Sequence, residues 1–306
     1  MDEKDVRIFC EIAFRDLSYS STTQRHVSPT EIGRKLGLDE KTVRTRIAAM
    51  EKDGFIKYYQ AMPSLALFDK KVLGLYRLEA MNIHTKHKVI QSVPEIPGIV
   101  EAIDYLGPKV SVDLAGESPD SVKAVADQVA RRFELTPMSL GLREVRPITV
   151  RVDRLDWQLI KELRYDARMT TTAIAKDLSI TPRMAEYRIE KLLDDGALLI
   201  RAVVNTQKQA GLVFYELEIS MDEAKKGALL DALKKTFEDK FWNVSSPSPG
   251  LILANLFGFT LGEPEDAALS VSKLPGVRYC HLLILKETIE PKPSWADRLI
   301  DEKIAA

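Results

Sequence analysis

Between residues 41 and 46 the chain reads KTVRTR, three cations and two hydroxyls in six positions with no acid among them. Arginine offers a planar fork of donors that fits a guanine edge or a phosphate. Lysine is a compact point charge, and threonine brings a hydroxyl and a methyl. Such a set can engage a nucleic acid or merely face solvent, and the element that carries it decides. On a helix, Val43, Ile47 and Met50 recur at i, i+4 and i+7 and face a core. Lys41, Thr42, Arg44 and Thr45 then point outward from the N-terminal half, toward phosphates and base edges. Arg46 lies beside the apolar stripe and is open to two roles, a DNA contact or an ion pair with a nearby acid. Lys57, Tyr58 and Tyr59 follow on a short strand, from which they can brace a phosphate backbone.

The surrounding sequence supplies the frame. Pro29 to Leu36 reads as a short helix with Ile32 and Leu36 on one face, broken by Gly37. Asp39 is placed to cap the helix that carries KTVRTR, Gly54 closes it, and Phe55 to Tyr59 reads as a strand. Two short helices joined by a tight turn and followed by a strand predict a winged helix-turn-helix. A further apolar face, Val6, Phe9, Cys10, Ala13 and Leu17, predicts a helix upstream.

The same frame recurs. Sliding the chain by 142 positions lays Thr30, Ile32, Leu36, Arg46, Ile47, Asp53 and Gly54 on Thr172, Ile174, Leu178, Arg188, Ile189, Asp195 and Gly196. The matched positions are mostly apolar or turn-forming, so the two copies share a packing scheme. Thr181-Pro182 opens the second copy's recognition helix, with Ala185, Ile189 and Leu192 inward. Its outward set is Arg183, Met184, Glu186 and Tyr187, with Arg188 in the place of Arg46. Glu186 stands where the first copy has Arg44, and a carboxylate near phosphates weakens binding. Copy 1 also holds nine extra polar residues, SYSSTTQRH at 18–26, which read as a loop.

After each copy the pattern changes to alternating strands and helices. The first set is strand 72–81, helix 86–93, strands 99–105 and 110–115, helix 118–133 and strand 140–150. The second is strand 213–220, helix 222–237, strands 241–246 and 251–259, helix 264–274 and strand 277–287. Both are βαββαβ, the ferredoxin-like order. The fold class expected is therefore α+β: two winged helix-turn-helix domains (1–64 and 151–206), each followed by a ferredoxin-like domain (65–150 and 207–290). A tail, 291–306, adds one helix.

Bulk properties narrow the class. A chain of 306 residues with 45% apolar and 29% charged residues suits several small globular domains. The net charge of −1 means that any nucleic-acid surface is local. Two cysteines, Cys10 and Cys280, exclude a disulfide framework, and the acidic start MDEKDVRIFC lacks a signal-peptide pattern, so a cytoplasmic location is expected. His84 and His87 in IHTKH have metal-like spacing without a third ligand and read as a surface pair; His26 and His281 read as isolated. No catalytic triad, phosphate loop or dinucleotide signature occurs, so no enzyme, metal or cofactor is expected.

These motifs resemble the Lrp/AsnC family of leucine-responsive-type transcriptional regulators, closest over LDWQLIKELRYDARMTTTAIAKDLSITPRMAEYRIEKLLDDGALL (155–199) and IGRKLGLDEKTVRTRIAAMEKDGFI. The chain resembles two family units fused in tandem, a covalent counterpart of the family's dimer. The resemblance implies double-stranded DNA as partner, a small-molecule effector such as an amino acid, and further pairing of chains into a homodimer. The turns DYLGPKVSVD and SPSPGLILAN depart from the family's Gly-x-Tyr-Asp-like effector turn. Two other readings share this architecture: a sirohaem-decarboxylase-like enzyme, and an interaction scaffold that no longer binds DNA. The strands VSVDLAG and LILANLFGF carry no His, Arg or Tyr of the kind that such an enzyme's motif uses.

Overall fold

A computed structural model describes residues 1–13, 28–208, 211–237 and 240–306. Leu17, the insertion at 18–26 and His26 lie outside the described residues. In chain order the first half holds α1 (Glu3–Ala13), α2 (Pro29–Leu36), α3 (Glu40–Lys52), β1 (Ile56–Pro63), β2 (Val72–Glu79), α4 (Ile83–Ser92), β3 (Ile99–Tyr105), β4 (Lys109–Gly116), α5 (Pro119–Phe133) and β5 (Thr136–Glu144). The second half holds α6 (Arg154–Leu163), α7 (Thr171–Asp177), α8 (Pro182–Asp195), β6 (Leu198–Val204), β7 (Val213–Met221), α9 (Lys226–Phe237), β8 (Phe241–Ser245), β9 (Leu251–Gly258), α10 (Gly262–Ser272), β10 (Val277–Ile289) and α11 (Trp295–Ala305).

The elements gather into two compact units, each drawn from both halves of the chain. Asp2–Lys71, Val145–Asn205 and Pro293–Ala306 form the helix-turn-helix unit, and Val72–Glu144 with Thr206–Lys292 form the sheet unit. The expected domains therefore associate like with like. The strand after each recognition helix finds its partner in the other copy: β1 pairs antiparallel with β6 over Ile56↔Val204 to Pro63↔Leu198. The register pairs Tyr59 with Ala202 and Gln60 with Arg201. Shifting either pair by the 142-residue repeat reproduces the other, so an approximate twofold axis passes through the ladder.

In the sheet unit the first βαββαβ half orders its strands β5-β2-β4-β3 and the second β10-β7-β9-β8. Each half buries one sheet face against its own two helices. Tyr76, Leu78, Val112 and Leu114 meet Val89, Val122 and Ala126 in the first half. Leu217, Ile219, Ala254 and Leu256 meet Leu229, Leu233 and Val271 in the second. The halves join edge to edge where β10 pairs with β3. The last strand of the first half, expected over 140–150, runs instead over Thr136–Glu144. Pro147 has no N–H to give a ladder, which keeps the strand from running on.

Local chemistry explains the helix-turn-helix elements. Ser28 and Glu31 form a reciprocal cap on α2 with Pro29 in its first turn, a device worth about 1 kcal/mol. Gly37 then turns the chain at φ 68°, a conformation free of cost only for glycine. In the second copy the same place is taken by Ser179, held at φ 55° and exposed. Relieving that left-handed serine should stabilise the unit. Ser179→Gly is expected to add about 0.5–1 kcal/mol and raise Tm by roughly 2 °C in a calorimetric scan. A lowered Tm would show that the serine side chain contributes more than its backbone strain.

Candidate nucleic-acid interface

Asp39 caps α3, accepting from Thr42 N at 2.8 Å and from Thr42 Oγ1 at 2.5 Å. The Thr42 hydroxyl is thus engaged in the cap, and its outward neighbours carry the polar surface. Lys41, Arg44 and Thr45 are exposed, while Val43, Ile47 and Met50 are buried as the periodicity requires. Arg44 Nε donates to Glu40 Oε1 at 2.7 Å, and Thr30 Oγ1 donates to the other oxygen of Glu40 at 2.6 Å. Glu40 therefore orients Arg44 across the mouth of the helix-turn-helix.

Arg46 takes the other of its two roles. Its Nη1 donates to Asp2 at 2.8 and 2.9 Å and to Asp5 at 2.7 Å, where the two acids cap α1. Arg188 does the same to Asp153 at 2.8 and 2.9 Å and to Asp156 at 2.7 Å at the start of α6. These pairings reassign both arginines from the DNA-facing set to an internal clamp between helix one and the recognition helix. The spacings carry further information. Asp2 and Asp5 precede Arg46 by 44 and 41 residues, and their counterparts precede Arg188 by 35 and 32. The difference is nine in each case, the length of the SYSSTTQRH insertion.

The second recognition helix, α8, is capped by Thr181 and begins with Pro182. Arg183, Met184, Glu186 and Tyr187 are exposed, with Tyr187 66% and Met184 44% accessible. Of the strand residues, Lys57 is exposed, and Tyr58 sets its ring edge-on to Tyr165 at 6.1 Å. Tyr59 is buried, and its hydroxyl donates to Glu51 at 2.9 Å. Arg168, within the Asp-Ala-Arg run of copy 2, lies over the Tyr59 ring at 4.8 Å and pairs with Glu51 of copy 1. Ala167 N donates to Tyr59 O at 3.0 Å. That motif is thus a cross-copy clasp, which a reading of one copy at a time misses.

The charges follow the two units. The helix-turn-helix unit holds 26 Lys+Arg against 23 Asp+Glu, a net of +3, and the sheet unit holds 18 against 22, a net of −4. Among the described residues no group of three His, Cys, Asp or Glu is arranged for a metal, and His84 and His87 are exposed on α4. Cys10 is buried enough that its thiol is pushed up to about 12, which leaves it protonated and unreactive. His281, isolated in sequence, is not so in space. Its ring stacks on Tyr279 with centroids 4.5 Å apart, and its Nδ1 lies 3.5 Å from Oε1 of buried Glu218. A phenol, an imidazole and a carboxylate in a row are groups suited to proton transfer. The signal was the alternation on β10, which puts Tyr279 and His281 on one face.

Residues 152–193 match the AsnC-type helix-turn-helix domain family, and residues 24–57 match a winged helix-turn-helix DNA-binding family. No curated protein sequence matches the chain. Among solved structures, the siroheme decarboxylase NirDL is similar along the whole length. It is 14% identical, covers 99% of this chain and 98% of that chain, and gives a TM-score of 0.54. NirDL in co-complex with an iron-uroporphyrin III analogue gives 14% identity, 98% and 99% coverage and a TM-score of 0.53. AsnC of E. coli, 17% identical, covers 45% of this chain and 94% of that chain with a TM-score of 0.37. The chain is thus a tandem of two helix-turn-helix units, the second of AsnC type, on a full-length fold shared with NirDL.

The two arginine clamps have a pH signature. Burial works against ionisation at Asp2 and Asp153, but hydrogen bonds from backbone N–H groups and from Arg46 and Arg188 outweigh it and hold both carboxyls below their usual value. A folded-state value lowered in this way gives stability that is complete above the unfolded value of about 3.9 and is lost as pH falls toward the folded one. Wild type and Arg188→Gln should therefore differ in Tm at pH 7, and the difference should shrink below about pH 4. Circular-dichroism melts from pH 7 to 3 measure this, and a gap independent of pH would reject the clamp.

Proposed function

We propose that the chain is a sequence-specific DNA-binding transcriptional regulator of Lrp/AsnC type, with α3 entering the major groove. The observation that carries this reading is the exposed set Lys41, Arg44 and Thr45 on the outer face of a recognition helix. That helix belongs to the unit that holds the chain's surplus of positive charge. The approximate twofold through β1 and β6 favours an inverted repeat over a direct repeat. α3 would supply the stronger half-site contacts, and Arg183, Met184 and Tyr187 on α8 the weaker ones beside Glu186. Lys57 lies next to this set on β1 and suits a phosphate contact. A small-molecule effector and pairing of chains into homodimers belong to the same reading as expectations.

Selection of genomic fragments on the full chain, followed by anisotropy titrations across salt, tests it. Lys41→Ala with Arg44→Ala is expected to weaken binding at least 10-fold and to lower the slope of log K against log salt by about 2. Arg183→Ala should cost less than either. Unchanged affinity and slope in the double variant would sink the assignment.

A second reading has one observation in its favour: the exposed Tyr279–His281 stack beside buried Glu218 in the sheet unit, on a fold shared with a siroheme decarboxylase. Here sirohaem would be substrate, and His281 and Tyr279 would hold or pass a proton during loss of its carboxyl groups. Titrating the chain with sirohaem and following the Soret band discriminates. A saturable shift that His281→Ala abolishes supports the enzyme, and no shift supports the regulator.

A further inference from the structure

The sheet unit contains a charge inversion at its own approximate twofold axis. The two halves can be superposed from their registers alone. Val72 of β2 pairs with Gly116, the last residue of β4, and Val213 of β7 pairs with Gly258, the last residue of β9. Both glycines lie against the start of the following helix, where an added Cβ would meet Val122 or Glu263. Val72 and Val213 are therefore equivalent, and five residues further on stand Arg77 and Glu218.

Both side chains leave the helix-covered face. Their neighbours Tyr76 and Leu78, and Leu217 and Ile219, point into the two apolar cores, so the alternation of a strand sends Arg77 and Glu218 the other way. There they meet. Arg77 Nη2 donates to Glu218 Oε2 at 3.1 Å and to Glu216 Oε1 at 2.6 Å, and all three residues are no more than 3% exposed. Tyr105, fully buried, donates its hydroxyl to Glu216 Oε2 at 3.2 Å, and its ring lies 4.7 Å from the Arg77 guanidinium. Burial works against the arginine's charge, but this surrounding holds its pKa above the usual value.

Contact between equivalent residues has a symmetry consequence. A residue on a twofold axis faces its own counterpart, so a pair of identical first halves would set Arg77 against Arg77. A pair of identical second halves would bury Glu218 against Glu218, with the Glu216 residues nearby. Like charges buried without partners are among the costliest arrangements in a protein interior. Only the unlike combination places opposite charges on the axis. We propose that Arg77 and Glu218 form a pairing code that commits the first βαββαβ half to the second and excludes like-with-like pairing. The partner that this face fits is thus the complementary half, in the same chain or in a second copy that exchanges it. Further association of chains must use a different surface.

Single charge reversals in the full chain recreate the excluded pairings. Arg77→Glu puts carboxylates on both sides of the axis, and Glu218→Arg puts guanidinium groups on both. Each is expected to lower the calorimetric Tm of the sheet unit by about 10 °C or more. Arg77→Met, which leaves buried Glu216 and Glu218 without their cation, should lower it as well, by less than the reversal. The reciprocal exchange, Arg77→Glu with Glu218→Arg, restores opposite charges and should return Tm to within roughly 4 °C of wild type. An exchange variant no more stable than the sum of its single losses would overturn the code.

Discussion

The antiparallel ladder between β1 and β6 is the contact on which the helix-turn-helix unit depends. A helix-turn-helix of some 50 residues has little core of its own, and a lone strand after it leaves a row of unpaired backbone groups. Here each copy completes the other. β1 closes on β6, Asn205 N donates to Phe55 O, and Ser64 N donates to Ala197 O. The clasp of Arg168 on Glu51 and Tyr59 reaches across the same seam. The two helix-turn-helix copies thus form one folding unit, and the ladder sets their relation.

Fusion of the two copies lets them differ, as the identical protomers of a homodimer cannot. The α1 and α6 clamps, caps and inward faces are kept in both copies. The turn residue, the outer faces of α3 and α8 and the axis of the sheet unit differ. Helix α11 adds an asymmetry of its own. It packs on α6, where Arg164 Nε donates to Asp297 at 2.9 Å and Lys161 pairs with Asp301 at 2.7 Å. Trp295 and Trp157 bracket Phe68 of the first copy, each at 5.6 Å. The second helix-turn-helix is thereby more strongly braced than exposed acids and cations alone could make it.

Much of this was legible in the sequence, and the boundary is physical. Periodicity gave the inward stripes of α3 and α8, because a helix face is a local property of spacing. Cap residues gave the helix starts, and the repeat gave the βαββαβ order. Partners are a different matter. The alternation in Phe55–Tyr59 shows a strand but not that its mate lies some 140 residues away, in the other copy. Spacing leaves Arg46 and its counterpart Arg188 open between a DNA contact and an ion pair, because their acids precede them by more than 30 residues. Nothing in the sequence singles out Arg77 and Glu218, although each is almost wholly buried. Alternation reports which face a residue takes and is silent on what covers that face. Only the second sheet makes those positions internal.

The electrostatics of α3 set how strongly such a head can bind. The surplus of positive charge in the unit is small, so general attraction to a polyanion is weak and affinity must come from placed contacts. Arg44 illustrates the placement. In the free protein it is held by Glu40, which Thr30 holds in turn, so its fork is already oriented before DNA is met. On the proposed reading, moving that guanidinium to a guanine edge would exchange one charge-assisted contact for another. Against a mismatched base the exchange brings no gain, and the arginine returns to Glu40. An arginine restrained in this way adds little to non-specific binding and most to discrimination. On the proposed reading Glu40 would compete with each base edge for Arg44.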